Sequence, residues 1–377
     1  MKIVAGVFGI LCILTVAFDA FETIILPRRV VRRVRLAKIF YRVSWAAWSM
    51  PGRKLHPGPR REYYLSYYGP LSLILLLVLW ASIFILGFGL IQWGFSLPMR
   101  SPNGSLGLGS YFYMSGTTFV TLGLGDITPL GPWGRLLTVL EGGTGLGFLA
   151  LIIGYVPVIY QSFSRREVNI SLLDARSGSP PSGPELLIRH YNGQNPEELI
   201  QFLREWERWC AELLESHLSY PVLAYYRSQH DNQSWLTALT ALLDTCALLL
   251  LGIEGVPAKP AKFIFALARH TAVDLTQSFG IQPVKAKRRY TPDDFSHLCT
   301  EFAAHGIILP SGEEAFKKLR DVRAMYEPFV EALADYLIVQ LPELGIIPDR
   351  VDAWQTSAWD HFLASSPRTL DRAMRRG

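Results

Sequence analysis

Two uninterrupted apolar runs constrain this chain more than any other feature. Leu71 to Trp93 carries no charged residue over 23 positions, and Leu136 to Tyr160 carries only Glu141 over 25. A helix crosses the hydrocarbon core of a bilayer with about 20 apolar residues, so both runs are long enough. Inside lipid the backbone must satisfy its own polar groups, and a helix does this within one segment. Half of the residues are hydrophobic and the mean hydropathy is positive, a balance that strains a purely soluble reading, and the two runs decide against it.

Between the two runs lies Thr117-Thr118-Phe119-Val120-Thr121-Leu122-Gly123-Leu124-Gly125-Asp126. The backbone carbonyls of Thr121, Leu122, Gly123 and Leu124, with the Thr121 hydroxyl, can point one way and replace a cation's hydration shell. Gly123 and Gly125 permit the positive φ values of such a ribbon, which a β-branched residue adopts only at a cost. Ser110 is a candidate cap for a short helix from Tyr111 to about Val120 whose partly negative C-terminal end favours cations. Its rings Tyr111, Phe112, Tyr113 and Phe119 read as packing braces.

From about Leu71 to Tyr160 the chain resembles the potassium-channel pore family. Thr-Leu-Gly-Leu-Gly-Asp stands where that family most often has Thr-Val-Gly-Tyr-Gly-Asp, and Pro129, Gly134 and Arg135 fit its following Gly-Asp-x-x-Pro and Gly-Arg. The resemblance implies an all-α membrane protein with an outer helix, pore helix, filter and inner helix. It places permeant K+, and no cofactor, at Thr121, Leu122, Gly123 and Leu124, with Gly125 completing the filter. Thr117, Thr118, Asp126 and Glu141 are its candidate supports, and Gly145 and Pro157 its candidate gating hinge. One filter strand supplies a quarter of each oxygen ring, which implies a homotetramer. Leu124 replaces the usual Tyr and Leu122 the usual Val, so a weakly selective cation channel is the alternative to a potassium-selective one. Glu141 is either a hydrogen-bond partner of the pore helix or a buried acid paired with Arg135 or a Thr. The density of Gly142, Gly143, Gly145, Gly147 and Gly154 asks for a reason, either the hinge or close helix packing.

Charge sets the expected topology. Residues 28 to 61 hold eleven Lys or Arg and no acid, in a chain of net charge +5. By the positive-inside rule this arm is cytoplasmic. The expected arrangement is an N-terminal transmembrane helix (1–27, N-terminus outside), a basic interfacial arm (28–62), a pore domain (63–160), a linker (161–183) and a helical domain (184–377). Residues 28–62 and 161–377 would be cytoplasmic. The arm is expected on anionic lipid headgroups, not nucleic acid. Asp19, Glu22 and Thr23 share a helix face and are expected at the end of the first helix, meeting Arg28 and Arg29. The passages around Asp19 to Arg29 and Phe163 to Pro181 also resemble bacterial potassium-channel-family proteins, which implies a multi-pass protein of the cell membrane, of the bacterial inner-membrane kind.

Beyond a Ser/Gly/Pro linker, Ser177 to Pro184, the chain reads as helical. Asn195-Pro196, Thr291-Pro292 and the box Ser311-Gly312-Glu313-Glu314 signal helix starts. Leu199, Phe202, Leu203, Trp206, Cys210 and Leu213 form a helical stripe. Trp235 to Ile253 is apolar enough to span a bilayer, but the Lys and Arg residues that follow favour a buried core helix. His190, His217, His230, His270, His297, His305 and His361 show no metal or catalytic spacing, and the four cysteines form no Cys-x-x-Cys pair. No phosphate loop or dinucleotide fingerprint is present, so the cytoplasmic regulator is unspecified and no enzyme is expected. A reading of a different class is a membrane-anchored sensor or enzyme in which the pore motif is vestigial.

Overall fold

The computed structural model describes residues 1–26, 35–102, 104, 106–191, 195–230, 232–284, 290–345 and 352. Among them the fold is all-α apart from one two-residue antiparallel pair. The chain divides into two compact units, residues 1–54 with 64–161 and residues 55–63 with 162–377.

The first unit contains α1 (Lys2–Ala20), α2 (Leu36–Lys54), α4 (Tyr68–Gly94), α5 (Leu108–Phe119) and the start of α6 (Pro132–Ser177); α3 (Pro59–Ser66) precedes α4. Helix α1 packs along α4 through glycines. A Cβ on Gly9 would lie 2.5 Å from the Gly87 carbonyl oxygen, and one on Gly94 would lie 2.4 Å from the Gly6 nitrogen. Such backbone contact through small residues is how helices associate in lipid, where apolar side chains gain nothing by leaving the acyl chains.

Helix α1 runs on into a wider helical turn, Phe21–Ile25. Near the end of α1, Asp19 is buried and accepts from the Ala37 backbone N–H and the Trp80 indole, each at 3.0 Å. One carboxylate thus closes α1, caps the start of α2 and ties both to α4. Arg35 donates to Thr23 at 2.9 Å and pairs with Glu22 at 3.5 Å. The expected partners Arg28 and Arg29 lie outside the described residues. Helix α2 continues through Pro51, and its Trp48 stacks on Tyr64 with centroids 4.9 Å apart.

The second unit is built around α9 (Trp235–Gly252), with α7 (Gly183–His190), α10 (Ala258–Phe279), α12 (Glu313–Arg323) and α13 (Glu327–Leu337) against it. Helix α8 (Glu197–Ser219) packs on α10, and every residue of its expected stripe is buried. Helix α9 is apolar enough to cross a bilayer, yet 89% of its most apolar window is buried within the protein. The core-helix expectation holds because other helices already cover it. Its one acid, Asp244, accepts from Arg323 at 2.6 Å and from the Tyr326 hydroxyl, so the charge is paired rather than stranded.

Two local details go beyond the sequence reading. The Ser177 to Pro184 linker is packed into the second unit: α6 runs to Ser177, and Gly178, Ser179 and Ser182 to Pro184 are buried. Ser182 caps α7, and Asp352 accepts from the Ser179 N–H at 3.1 Å while pairing with Arg189 at 2.8 Å. Composition signals a turn, whereas the burial comes from partners far along the chain. The Thr291 box forms reciprocally with Asp294 at the head of α11 (Pro292–Ala304). The Ser311 box does not, because Gly312, at φ +91°, occupies the capping position of α12.

Candidate functional site

The pore helix begins earlier than Ser110 suggests. Helix α5 runs Leu108–Phe119 with Gly107 at its cap, and Ser110 lies inside it. At its other end the helix hands its last carbonyls to the segment that follows. The Thr117 carbonyl accepts from Leu122 N–H at 2.8 Å and from Gly123 N–H at 3.0 Å, and the Thr118 carbonyl accepts from Thr121 N–H at 3.0 Å. Thr117 therefore holds the segment through its backbone, while its hydroxyl bonds back to Met114 at 3.0 Å. Orphan carbonyls at a helix end are satisfied here by the residues that carry the motif.

From Thr121 to Gly125 the backbone alternates. Thr121, Gly123 and Gly125 have φ of +60°, +56° and +77°, and Leu122 and Leu124 between them do not. The two glycines do what the sequence predicts. Thr121 does not: it is β-branched and still adopts the left-handed region, a strain of order 1–3 kcal/mol of the kind held at functional sites. Alternation of hand turns successive carbonyls toward a common side, the arrangement that a ring of oxygens around a cation needs. All residues from Thr121 to Asp126 are exposed in the single chain, with Leu122 60% and Leu124 58% exposed.

At the far end of the segment, Tyr113 of the pore helix lies near the Asp126 carboxylate and interacts with it electrostatically, so Tyr113 is not only a packing ring. Beyond it, β1 (Met99–Arg100) pairs with β2 (Thr128–Pro129), Met99 opposite Pro129. Tyr111 and Met114 pack with Met99 beneath this ribbon. Gly134 follows from the same crowding, since a Cβ there would lie 3.1 Å from the Pro129 side chain.

Behind the pore helix, Glu141 of α6 is fully buried. Gln92 of α4 donates to one carboxylate oxygen at 3.0 Å. The Ser115 hydroxyl of α5 lies between the other oxygen and the Ile85 carbonyl, the latter at 2.7 Å. Of the two sequence alternatives, the geometry is that of a pore-helix partner, and no bond to Arg135 or a Thr is made among the described residues. One carboxylate joins outer, pore and inner helices through neutral partners. Phe84, Phe119 and Phe148 pack on one another with centroids 5.6 to 6.0 Å apart and join the same three helices by apolar contact.

Gly145 has an immediate packing reason. A Cβ there would lie 1.9 Å from the Phe119 carbonyl oxygen, which no side chain can occupy unless α6 moves. Gly142 faces Thr118, and a Cβ there would lie 3.8 Å from its methyl carbon. Cβ atoms on Gly143, Gly147 and Gly154 would meet nothing within 4 Å among the described residues of this chain. Pro157 sits inside α6 without interrupting it. Neighbouring apolar side chains of α6, including Val139, Leu146 and Ile153, are 61% to 71% exposed.

Residues 73–161 match the model of an ion channel family. Over 210 residues the chain is 26% identical to a protein of Bacillus subtilis (strain 168) described as the uncharacterized membrane protein YdjJ; the match covers 55% of this chain and 60% of that protein. No solved structure matches the chain.

Proposed function

We propose that this membrane protein is a homotetrameric potassium channel of the two-helix type, built on residues 73–161, which match an ion channel family. The conducting element is the strand Thr121 to Gly125, and flow is passive. Ions enter by exchanging water for the carbonyls of Thr121, Leu122, Gly123 and Leu124, and leave by repulsion from the ion behind. The observation that carries this reading is the alternation of left-handed backbone at Thr121, Gly123 and Gly125. It is supported by the exposure of the whole strand, which in one chain has no facing oxygens, and by the exposed apolar side chains of α6. Thr117, Thr118 and Asp126 fix the strand, and Glu141 holds the helix behind it.

The gate belongs to the inner helix. Bending at Gly145 would part α6 from the Phe119 carbonyl that it touches, so motion there would reach the base of the filter directly. Pro157, which has no N–H to give, marks a second weak point. The same reading has the N-terminus outside and the basic arm in the cytoplasm of a cell membrane. Helix α2 then lies on anionic headgroups, since Lys38 and Arg42 are exposed beside exposed Ile39, Val43 and Met50.

Selectivity and assembly are tested together. The purified full chain in detergent should have four times the mass of the 42.4 kDa chain. In planar bilayers with potassium on one side and sodium on the other, the reversal potential should lie toward the potassium equilibrium. A monomer, or a reversal potential near zero, would overturn the tetrameric or the potassium-selective reading respectively.

A further inference from the structure

Six residues in the second unit hold both stretches of chain that lead from that unit into residues 64–161. They run from Leu223 to Ser228, across the end of the 3-10 turn Pro221–Tyr225 that follows α8. The buried Arg166, six residues beyond Tyr160 on α6, donates to the Leu223 and Tyr226 carbonyls, each at 2.9 Å. Its neighbour Glu167 accepts from the Ser228 hydroxyl at 3.1 Å and pairs with Arg166 at 2.9 Å. Phe163 packs on Tyr226 with centroids 5.5 Å apart. The tail of the inner helix is thereby held by a guanidinium, a carboxylate and a ring on three successive positions of one face.

Arg227, between Tyr226 and Ser228, faces elsewhere. Its guanidinium pairs with Glu62 at 3.3 Å, with side chains only 10% and 16% exposed. Glu62 lies on α3, two residues before the membrane unit resumes at Tyr64 and six before α4 begins. The same guanidinium donates to the Leu337 and Ile338 carbonyls at the end of α13. Tyr226 is extended, at φ −74° and ψ 119°, and consecutive side chains of an extended backbone leave in different directions. That is how Arg227 and Ser228 reach different partners from adjacent positions.

We infer that residues 223–228 are the coupling element through which the second unit sets the gate. They fasten the tail of the inner helix and the lead-in to the outer helix to one short rigid segment, and α13 reaches that segment through Arg227. An opening that changes the separation of the two pore-helix ends must break or shift the bonds at Glu62 or at Arg166 and Glu167. A rearrangement of the second unit that moves Arg227 must load both ends together. Neither half of this arrangement is needed to build a filter; Arg166 and Glu167 are buried and Arg227 and Glu62 are largely covered, and polar contacts taken out of water are costly to leave half-made. The inference rests on the channel reading for its consequence, though not for its geometry.

The test uses the full chain in proteoliposomes and planar bilayers with Glu62→Gln, Ser228→Ala and the pair. Glu62→Gln keeps volume and leaves the bonds of Arg227 to α13 in place, and Ser228→Ala removes one hydroxyl. Each variant should change open probability at least threefold, both in the same direction, with unitary conductance unchanged. The double variant should change it by less than the product of the two, because both release one clasp. Unchanged open probability in both single variants, or opposite directions, would overturn the inference. Hydrogen exchange on the same proteins separates this from failure of the channel reading. If wild-type protein carries no potassium flux, the channel reading falls; faster exchange across residues 162–170 in Glu62→Gln would then still support the fastening, and unchanged exchange would refute it.

Discussion

Helices α6 and α9 are each apolar enough to cross a bilayer, yet 17% of the most apolar window is buried in the first and 89% in the second. Each buries one carboxylate in its apolar stretch, Glu141 and Asp244. Glu141 is held by the neutral groups of Gln92 and Ser115. Asp244 is held by the Arg323 cation, with the Tyr326 hydroxyl beside it, and Arg323 also meets Glu327 and lies over the Tyr290 ring at 5.8 Å. Hydropathy alone does not separate the two helices; their polar partners do. A core helix can spend a salt bridge on locking its neighbours together. Helix α6 holds its acid with uncharged donors and leaves its apolar surface exposed, as the proposed channel reading requires.

The sharpest way to break this comparison is to remove the acids one at a time. Asp244→Ala leaves Arg323 buried without its main partner and should destabilise the second unit by about 3–5 kcal/mol, seen as an early tryptophan-fluorescence transition on heating the full chain in detergent. Gly145→Val drives a side chain into the Phe119 carbonyl. Overpacking of this kind costs about 1–3 kcal/mol, and because it displaces α6 from the filter base, potassium flux should fall at least tenfold while the second unit melts normally. Glu141→Gln keeps shape and neutral partners, so it should cost only about 1 kcal/mol and leave the assembly intact. Equal losses from Asp244→Ala and Glu141→Gln would show that the two acids are not held differently.

The smallest effect concerns pH and belongs to the second unit alone. His217 is buried, and both burial and the adjacent Arg166 push its pKa well below the ordinary 6.5. Arg166 can only donate, so the imidazole Nε2 accepts at 3.2 Å and Nδ1 donates to the Leu213 carbonyl at 3.0 Å. The unfolded chain takes up a proton near pH 6.5 while the folded one does not. Stability is therefore complete above that pH and declines as pH falls below it. The decline between pH 6.5 and 5 should shrink in His217→Gln, measured by the same melting experiment.

Much of this was legible in the sequence where the cause is local. The two apolar runs, the stripe from Leu199 to Leu213, the Thr291 cap and the positive φ at Gly123 and Gly125 depend on neighbours within a few residues. The preference for a buried α9 came from the charges that follow it. What the sequence hid depends on contacts across long separations. The partners of Glu141 are 49 and 26 positions away, and those of Asp19 are 18 and 61 away. No periodicity encodes them, because they are fixed by how helices cross. Gly145 reads from the sequence as either a hinge or a close packing contact, and only the position of Phe119 shows what it packs against. Thr121 is a different miss, since residue type argues against the left-handed backbone that the ribbon imposes on it.

The central claim is that Thr121 to Gly125 conducts potassium. Potassium efflux from liposomes holding the full chain, compared with Gly123→Asp in the same vesicles, tests it most directly. Gly123 has φ +56° and sits among the carbonyls proposed to coordinate the ion, so a carboxylate-bearing residue there should abolish efflux while the protein still assembles. Efflux that persists unchanged in Gly123→Asp would contradict the account.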